Sequence, residues 1–471
     1  MVLINLDSPI KKKMKRAFRS FIFLVVIAGV SCSARNAERG RKTSEILLSG
    51  NLTEDSLLTL VQYRTFEYFR DGAEPTSGMA RERYHVDGIY PDNDMNVVTS
   101  GGTGFGVMAL LVGIERGFFS RDEGFKQLRK IVSFLQNADR FHGAWSHWIY
   151  GETGRVKPFS QKDNGADIVE TAYLIQGLLA VREYFKDGSQ EEKALADDID
   201  KLWREVEWSW FTKGGEDVIY WHWSPDYGWD MNHQVRGYNE CLILYVLAAS
   251  SPTYPVRPEA YHNGWARGGA ISTSGGKYGY MLKLKHNGAE EYSGPLFWAH
   301  YSYLGLDPRN LKDKYADYWH ENVNHTLINW RWCFENPKNY TGYSSDCWGL
   351  TASYSVSFYA AHAPGEKNDL GVISPTAALS SMPYTPEQSL NAMNHFYYNL
   401  GDKIWGKYGF YDAFSEHHDW YPQKYLAIDQ GPVVVMIENY RTGLLWNLFM
   451  SCPEIQQGLN LLGFVLNQNK Q

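Results

Sequence analysis

Cysteine is scarce in this chain, five in 471 residues. Leaving Cys32 aside, the other four, at 241, 333, 347 and 452, follow no zinc-binding spacing, which excludes a zinc-stapled fold. Cys333 and Cys347 could pair in an oxidising compartment, or all four could be reduced buried thiols. Charge of one sign is equally thin. The 46 basic and 53 acidic residues leave a net charge of −7 with no long one-sign run beyond the N-terminus, so nucleic acid has no electrostatic footing as a partner. Runs that could build a core β-sheet are also lacking. The histidines lack metal-ligand spacing: His417 and His418 are adjacent, and no i, i+4 pair faces the acidic segment 163–170, so neither a metal nor another cofactor is expected.

Long hydrophobic runs are missing too. The one candidate, 21–30, is too short to span a bilayer stably, and it follows the basic stretch 11–16, so residues 1–32 read as an export signal. Its end, Ala28-Gly-Val-Ser-Cys32, resembles a bacterial lipoprotein signal. That places the protein in the periplasm or at the outer membrane, touching the membrane only through a lipid on Cys32. Gly29 departs from the usual Leu or Ala, which weakens lipidation more than export, and the start could equally be Met14. Residues 33–52 are polar and read as a tether. Residues 53–471 then form one domain, expected to act as a monomer.

What the chain has in quantity is apolar and aromatic residues, 44% and 15%, so it is globular. Its 17 Trp and 32 Tyr exceed ordinary core needs and offer ring faces for stacking on sugars, the remainder being core rings and hydrogen-bonded tyrosines. Apolar periodicity predicts helices near 54–70, 102–116, 121–139, 166–186, 190–212, 237–250, 258–268, 295–305, 311–335, 375–381, 386–400, 432–450 and 453–464. Amphipathic, charge-rich helices alternate with helices apolar nearly all round. The first kind belongs outside and the second inside. Six of each predicts an all-α (α/α)6 barrel with short β-hairpins in its long loops. Links from inner to outer helices are short (117–120, 186–189, 251–257), whereas links from outer to inner are long: 71–101, 140–165, 213–236, 269–294, 336–374 and 401–431. The long loops therefore gather at the N-termini of the inner helices, where loops of that length carry function. Hairpins are expected around Gly151-Glu-Thr-Gly154 and around Gly275-Gly276.

Asp163, Asp167 and Glu170 are spaced i, i+4 and i+7, which puts three carboxyls on one helix face. Capping would account for Asp163. It does not account for Glu170, which stands among Ile168, Val169, Leu174, Ile175, Leu178 and Leu179 on a helix expected to be buried all round, so a functional carboxylate cluster is expected. Glu240 is a second isolated acid, beginning an inner helix otherwise made of Leu, Ile, Val and Ala; a capping box is the bland alternative. Asp429 opens another inner helix, with Pro432 expected in its first turn. The loops add Trp145, His147, Tyr220, His222, Trp223, Trp229 and Asp412, and Tyr238 stands beside Glu240. Aromatics beside acids suit a carbohydrate cleft.

Several longer motifs carry a resemblance. Tyr238-Asn-Glu-Cys-Leu-Ile-Leu-Tyr-Val-Leu-Ala-Ala-Ser-Ser-Pro252, Tyr261-His-Asn-Gly-Trp-Ala266, Asp163-x3-Asp167-x2-Glu170, Cys347-Trp-Gly-Leu-Thr-Ala-Ser353 and Ala427-Ile-Asp-Gln-Gly-Pro432 with Ile437-Glu-Asn-Tyr-Arg441 resemble the glucoamylase-like domain of glycoside hydrolase family 144. The likeness runs over roughly residues 55–465. It implies an (α/α)6 barrel and inverting hydrolysis of β-1,2-glucan or its oligosaccharides, endo-acting or releasing sophorose. It also implies active-site roles for Asp163, Asp167, Glu170 and Glu240. Inversion needs two carboxyls about 6.5–9.5 Å apart. Acids on two different helices meet that gap more easily than i, i+4 neighbours about 5–6 Å apart. Which acid donates and which serves the water does not follow from the spacing; the working hypothesis has Glu240 as general acid, kept protonated by apolar surroundings, with the Asp163 stripe serving the water. Two other readings stand beside this one: a non-catalytic lipoprotein that captures glycans in an aromatic cleft, and an α-glucan hydrolase or polysaccharide lyase on the same barrel. A lyase would want a basic cleft for uronates, and the loops hold no Arg or Lys cluster.

Overall fold

The computed structural model describes residues 52–466; the export signal, Cys32 and most of the tether lie outside the described residues. The chain divides into two compact units, Met1–Ser56 and Leu57–Gln471. In the first, Thr53 Oγ1 accepts from the Ser56 amide at 3.2 Å, closing the start of the first helix. In the second lie almost all the helices. The described helices are α1 (Glu54–Arg70), α2 (Ser100–Glu115), α3 (Arg121–Leu135), α4 (Ile168–Phe185), α5 (Gln190–Arg204), α6 (Leu242–Ser250), α7 (Tyr318–Glu335), α8 (Pro375–Leu379), α9 (Pro386–Tyr398), α10 (Gly401–Ile404), α11 (Ala427–Arg441), α12 (Leu444–Met450) and α13 (Pro453–Leu461). None of them is long and apolar enough to cross a membrane.

Helices α2, α4, α6 and α11 form the core, because their apolar residues leave no face for water. Along α4 every residue except Tyr184 is buried. Helix α2 packs between α4 and α11, and α4 also meets α6. Glycine sets the closest approach: a methyl group on Gly104 or Gly177 would overlap a facing backbone carbonyl. Helices α3 and α5 pack outside α2 and α4. Each buries a single stripe, Leu128, Ile131, Val132 and Leu135 on α3 and Leu195, Ile199, Leu202 and Trp203 on α5, worth about 1.5–3 kcal/mol per large side chain. Each begins with a capping box, Ser120 with Glu123 and Ser189 with Glu192.

Several predicted helices are shorter or looser than the periodicity suggests. Helix α6 starts at Leu242 instead of 237, because Gly237 has φ 79° and Asn239 Oδ1 takes the Cys241 amide at 3.0 Å, holding Glu240 in a turn. The segment 258–268 is a π-turn over Ala260–Trp265 followed by a 3-10 turn, and 295–305 is two 3-10 turns. Helix α11 starts early, at Ala427, so Pro432 lies inside it and not in its first turn. All four described cysteines are buried and free, so Cys333 and Cys347 do not pair.

The described strands are two or three residues long, and their placement matters more than their length. Val97–Thr99 runs straight into α2, Ala166–Asp167 into α4 and Lys424–Leu426 into α11. Val97–Thr99 pairs with Trp148–Tyr150, which pairs with Val156–Lys157 in the hairpin expected around Gly151. Ala166–Asp167 pairs with His222–Trp223, and Arg83–His85 with Lys424–Leu426. The first long loop is thereby bonded to the second and to the last, and the second to the third. The other expected hairpin turns at Tyr278-Gly279 instead of Gly275-Gly276, since it is the later pair that takes positive φ, 56° and 86°.

Candidate active site

The acidic segment is not continuous helix, so the one-face stripe predicted from its spacing is not what brings its carboxyls together. Asp163 lies in a turn bridged to Ser160, Asp167 is the N-cap of α4, and only Glu170 is on the helix. Asp167 is wholly buried and its Oδ1 accepts the amides of Val169 and Glu170 at 3.0 and 2.9 Å. Its Oδ2 stands 3.2 Å from His147 Nδ1 and 3.9 Å from His222 Nε2. Burial alone would raise this carboxyl; the hydrogen bond from His147, the two imidazoles and the Glu170 amide hold it below its ordinary value. Burial likewise opposes a charge on His147, but Glu170 and Asp167, with Glu82 behind them, outweigh it and lift the imidazole to about 10. At neutral pH His147 is an imidazolium clamped to Asp167.

Its neighbours behave in the opposite way. Burial first, and the Asp167 charge second, push Asp163 up to about 7, against the pull of His147. Asp163 Oδ2 lies 3.5 Å from His222 Nε2, while its Oδ1 is buried and makes no hydrogen bond among the described residues. Burial also pushes Glu170 to about 7 against His147, with Asp167 and Glu82 adding to the rise; its Oε2 accepts the Gly101 amide of α2 at 3.0 Å. His222 is driven down to about 4 by burial and is neutral. His147, Asp163 and Asp167 each offer a ligand atom within 4.8 Å of the others. Without a metal, the hydrogen bond between His147 Nδ1 and Asp167 Oδ2 holds a proton inside this cluster.

Glu240 is half-buried in the turn ahead of α6, and its backbone carbonyl accepts from Tyr173 of α4 at 3.4 Å and from Ser302. Burial holds its carboxyl at about 7. Asp412 and Asp429 form a second acid pair, joined by a hydrogen bond that keeps one proton between them. Asp412 Oδ2 accepts the Tyr354 amide at 2.8 Å, and Asp429, in the first turn of α11, is reached by the Tyr301 hydroxyl at 3.5 Å. Burial raises Asp412 to about 6 and Asp429 well above its ordinary value.

Sequence reasoning missed Glu82. Its amide donates to Val97 and its carbonyl accepts from Ala427, which fixes it where the first and last loops meet. Its charge bears on His147, Glu170, Asp412 and Asp429 alike. With His147, Trp148, Phe159, Tyr354 and Tyr359 it lines a cleft of about 250 Å³. In sequence it sits within Arg81-Glu-Arg83, which looks like an ordinary solvated loop, and nothing there singles it out. Glu82 and His147 line this cleft, whereas Asp163, Asp167, Glu170, Glu240, Asp412 and Asp429 do not; a wider hollow of about 700 Å³ lies beside α5, and its walls are ion-paired, as in Arg140 with Glu205 and Arg204 with Asp200.

Three of the expected substrate-binding rings are corrected by their burial. Trp145 is 0% exposed, donates from Nε1 to the Leu135 carbonyl and lies under the Arg140 guanidinium. Tyr238 is equally buried, its hydroxyl donating to Asn322, and Tyr220 is 3% exposed with its hydroxyl on Glu216. Trp223 and Trp229 keep part of their surface and group around Trp210, outside the cleft lining. Of the rings that do face the cleft, Trp148 and Phe159 come from the loop that holds Trp145, and Tyr354 and Tyr359 from the loop 336–374.

A glycoamylase family model matches residues 232–453. The solved endo-β-1,2-glucanase of Chitinophaga pinensis, in complex with sophorotriose and glucose, is 69% identical, with a TM-score of 0.87 over 88% of this chain and 99% of that one. The chain belongs to glycoside hydrolase family 144. An exo β-1,2-glucooligosaccharide sophorohydrolase acting at the non-reducing end, from Parabacteroides distasonis, is 46% identical over 427 residues, 87% of this chain. The chain spans 58% of the length of that relative. A solved β-1,2-glucanase from the same organism is 44% identical, with a TM-score of 0.83 over 88% of this chain and 60% of that one. Family 144 membership thus rests on most of the chain, and Glu240, Asp412 and Asp429 fall within the residues the family model matches.

Proposed function

We propose that this chain hydrolyses β-1,2-linked glucan or its oligosaccharides with inversion at the anomeric carbon, on an (α/α)6 barrel. Supporting the barrel are the alternation of buried and amphipathic helices, the packing of α2 with both α4 and α11, and the first long loop bonded to the last. Supporting the substrate is the 69% identity to an endo-β-1,2-glucanase and the 46% identity to a sophorohydrolase.

Glu240 is the proton donor in this reading, since burial keeps it protonated near neutral pH. The observation that carries the other role is Asp163 Oδ1, buried and without a hydrogen bond, on a carboxyl poised at about 7. Asp167 has both oxygens committed, to two amides and to His147, which makes it the support and Asp163 the base. Water attacks the anomeric carbon, its proton passes to Asp163, the glycosidic bond breaks, and the leaving oxygen takes the proton of Glu240 directly or through a substrate hydroxyl. Glu170, Asp412 and Asp429 hold sugar hydroxyls, and Trp148, Phe159, Tyr354 and Tyr359 supply the ring faces. The test is incubation with linear β-1,2-glucan, starch, laminarin and a polyuronate, following product size and, by NMR, the first-formed anomer. Product sizes separate internal cleavage from sophorose release. Retained configuration sinks inversion, and tight binding of β-1,2-glucan without turnover would leave a glycan-capturing protein.

The same reading places the enzyme outside the cytoplasm as a monomer, anchored by a lipid on Cys32. A Cys32→Ser form that still fractionates with membranes removes the anchor.

A further inference from the structure

Outside the cleft, three potential ligands from distant parts of the chain converge. Cys347 lies in the loop after α7, His395 on α9 and Glu416 in the loop before α11, and their ligand atoms all lie within 4.8 Å of one another. We propose that Cys347, His395 and Glu416 bind a zinc-class divalent cation. Thiolate, imidazole and carboxylate together are the donor set that suits zinc, with three protein ligands leaving a fourth position for water.

The surroundings favour a ligand over ordinary packing. Cys347 is fully buried with the Glu416 carboxylate close to its sulfur, and a bound cation would hold that sulfur as a thiolate. His395 Nε2 is buried with no hydrogen bond among the described residues, which leaves a polar atom to be satisfied. Asn399 Nδ2 stands 3.1 Å from His395 Nδ1; turning that exposed amide by 180° brings Oδ1 to Nδ1–H and bares Nε2 for a metal. Gly342, at φ 92°, lies against the Glu416 side chain where a Cβ would collide with it, so the backbone leaves room for that carboxylate. Tetrahedral zinc bonds of about 2.0–2.3 Å put ligand atoms about 3.3–3.8 Å apart, so a separation within 4.8 Å needs only a small contraction.

The site would clamp the cleft wall. Cys347 precedes the strand Ala352–Tyr354, Glu416 follows Asp412, and the Tyr354 amide already donates to Asp412. A metal joining the two loops to α9 fixes that contact from behind. The inference does not depend on the reaction proposed above.

The full chain, stripped with a chelator and titrated with ZnCl2, should bind one ion and show a raised Tm. Co²⁺ in its place should give a sulfur-to-cobalt charge-transfer absorption, absent in Cys347→Ser. His395→Gln and Glu416→Gln should each weaken Zn²⁺ binding by about tenfold or more. In the unaltered protein the Co²⁺ band should reach its limit at one equivalent and be abolished by competing Zn²⁺, a readout that survives poor folding of any variant. A cobalt complex without a thiolate band, or equal Zn²⁺ affinity in Cys347→Ser, overturns the site.

Discussion

Asp163 and Asp167 are four residues apart and chemically opposite, and that difference is where residue-level predictions divide. Asp163→Asn should lower kcat by about 10²–10⁴-fold, and azide should rescue it by replacing the water that a base activates. Glu240→Gln should fall by a similar factor and be partly rescued by an activated aryl glycoside, which needs little leaving-group protonation. Rescue in the reverse pairing exchanges the two roles. With Glu240 held at about 7, kcat/KM should decline on the alkaline side with an apparent pKa near 7, a limb that should vanish from the residual activity of Glu240→Gln. Glu170 was legible in the sequence, because an acid in an apolar helix has few bland explanations, whereas the turn that holds Asp163 and the capping by Asp167 were not. Which way a ring faces was not. Trp145 and Trp148 are three residues apart in one loop, yet only Trp148 lines the cleft. Trp145→Ala should therefore cost about 3–5 kcal/mol of stability, whereas Trp148→Ala should chiefly weaken substrate binding. Unchanged thermal unfolding of Trp145→Ala would contradict its place in the core.

At the scale of elements, helix packing sets the position of the acids, since Glu170 is bonded to Gly101 at the start of α2 and Tyr173 reaches the Glu240 carbonyl. The α2–α4 approach at Gly104 and Gly177 is thus part of the site. Gly104→Ala or Gly177→Ala should destabilise by about 1–3 kcal/mol and lower activity together, checked by chemical denaturation alongside turnover. Loss of neither would mean the helices can part without disturbing the carboxyls. Apolar periodicity located α2 and α4 well, because a helix with no polar face has nowhere to sit but inside, while it placed α11 five residues late and ran it into α12. It failed at helix beginnings and in short helical pieces. There the outcome depended on one side-chain or backbone bond, such as Asn239 to Cys241 or Asp167 capping α4, which no periodicity encodes. The strand that leads into each of α2, α4 and α11 is likewise fixed by partners distant in sequence, and so is Glu82.

For the whole molecule, a site made of desolvated acids couples stability to pH. Asp163, Glu170 and Glu240 are all raised to about 7 and Asp412 to about 6, from about 4 in an unfolded chain. A raised carboxyl contributes stability that is present below its unfolded value and is lost as pH climbs through the folded one, because the native state then binds more protons than the unfolded state. Asp167, held low, works the other way and loses its contribution as pH falls. His147, raised to about 10, keeps its contribution through neutral pH. The sum predicts a Tm that declines from about pH 5 to pH 8, measurable by calorimetry in the absence of substrate. Glu240→Gln isolates one group from that sum. At pH 5 both side chains are neutral, so the variant should melt close to wild type. At pH 8 wild type carries a desolvated carboxylate and the variant does not, so the variant should melt higher, on the order of a degree or two, while remaining inactive. A Tm difference independent of pH would mean Glu240 carries no desolvation penalty. It would then be ionised well below neutrality and could not be the proton donor, whatever the substitution does to turnover.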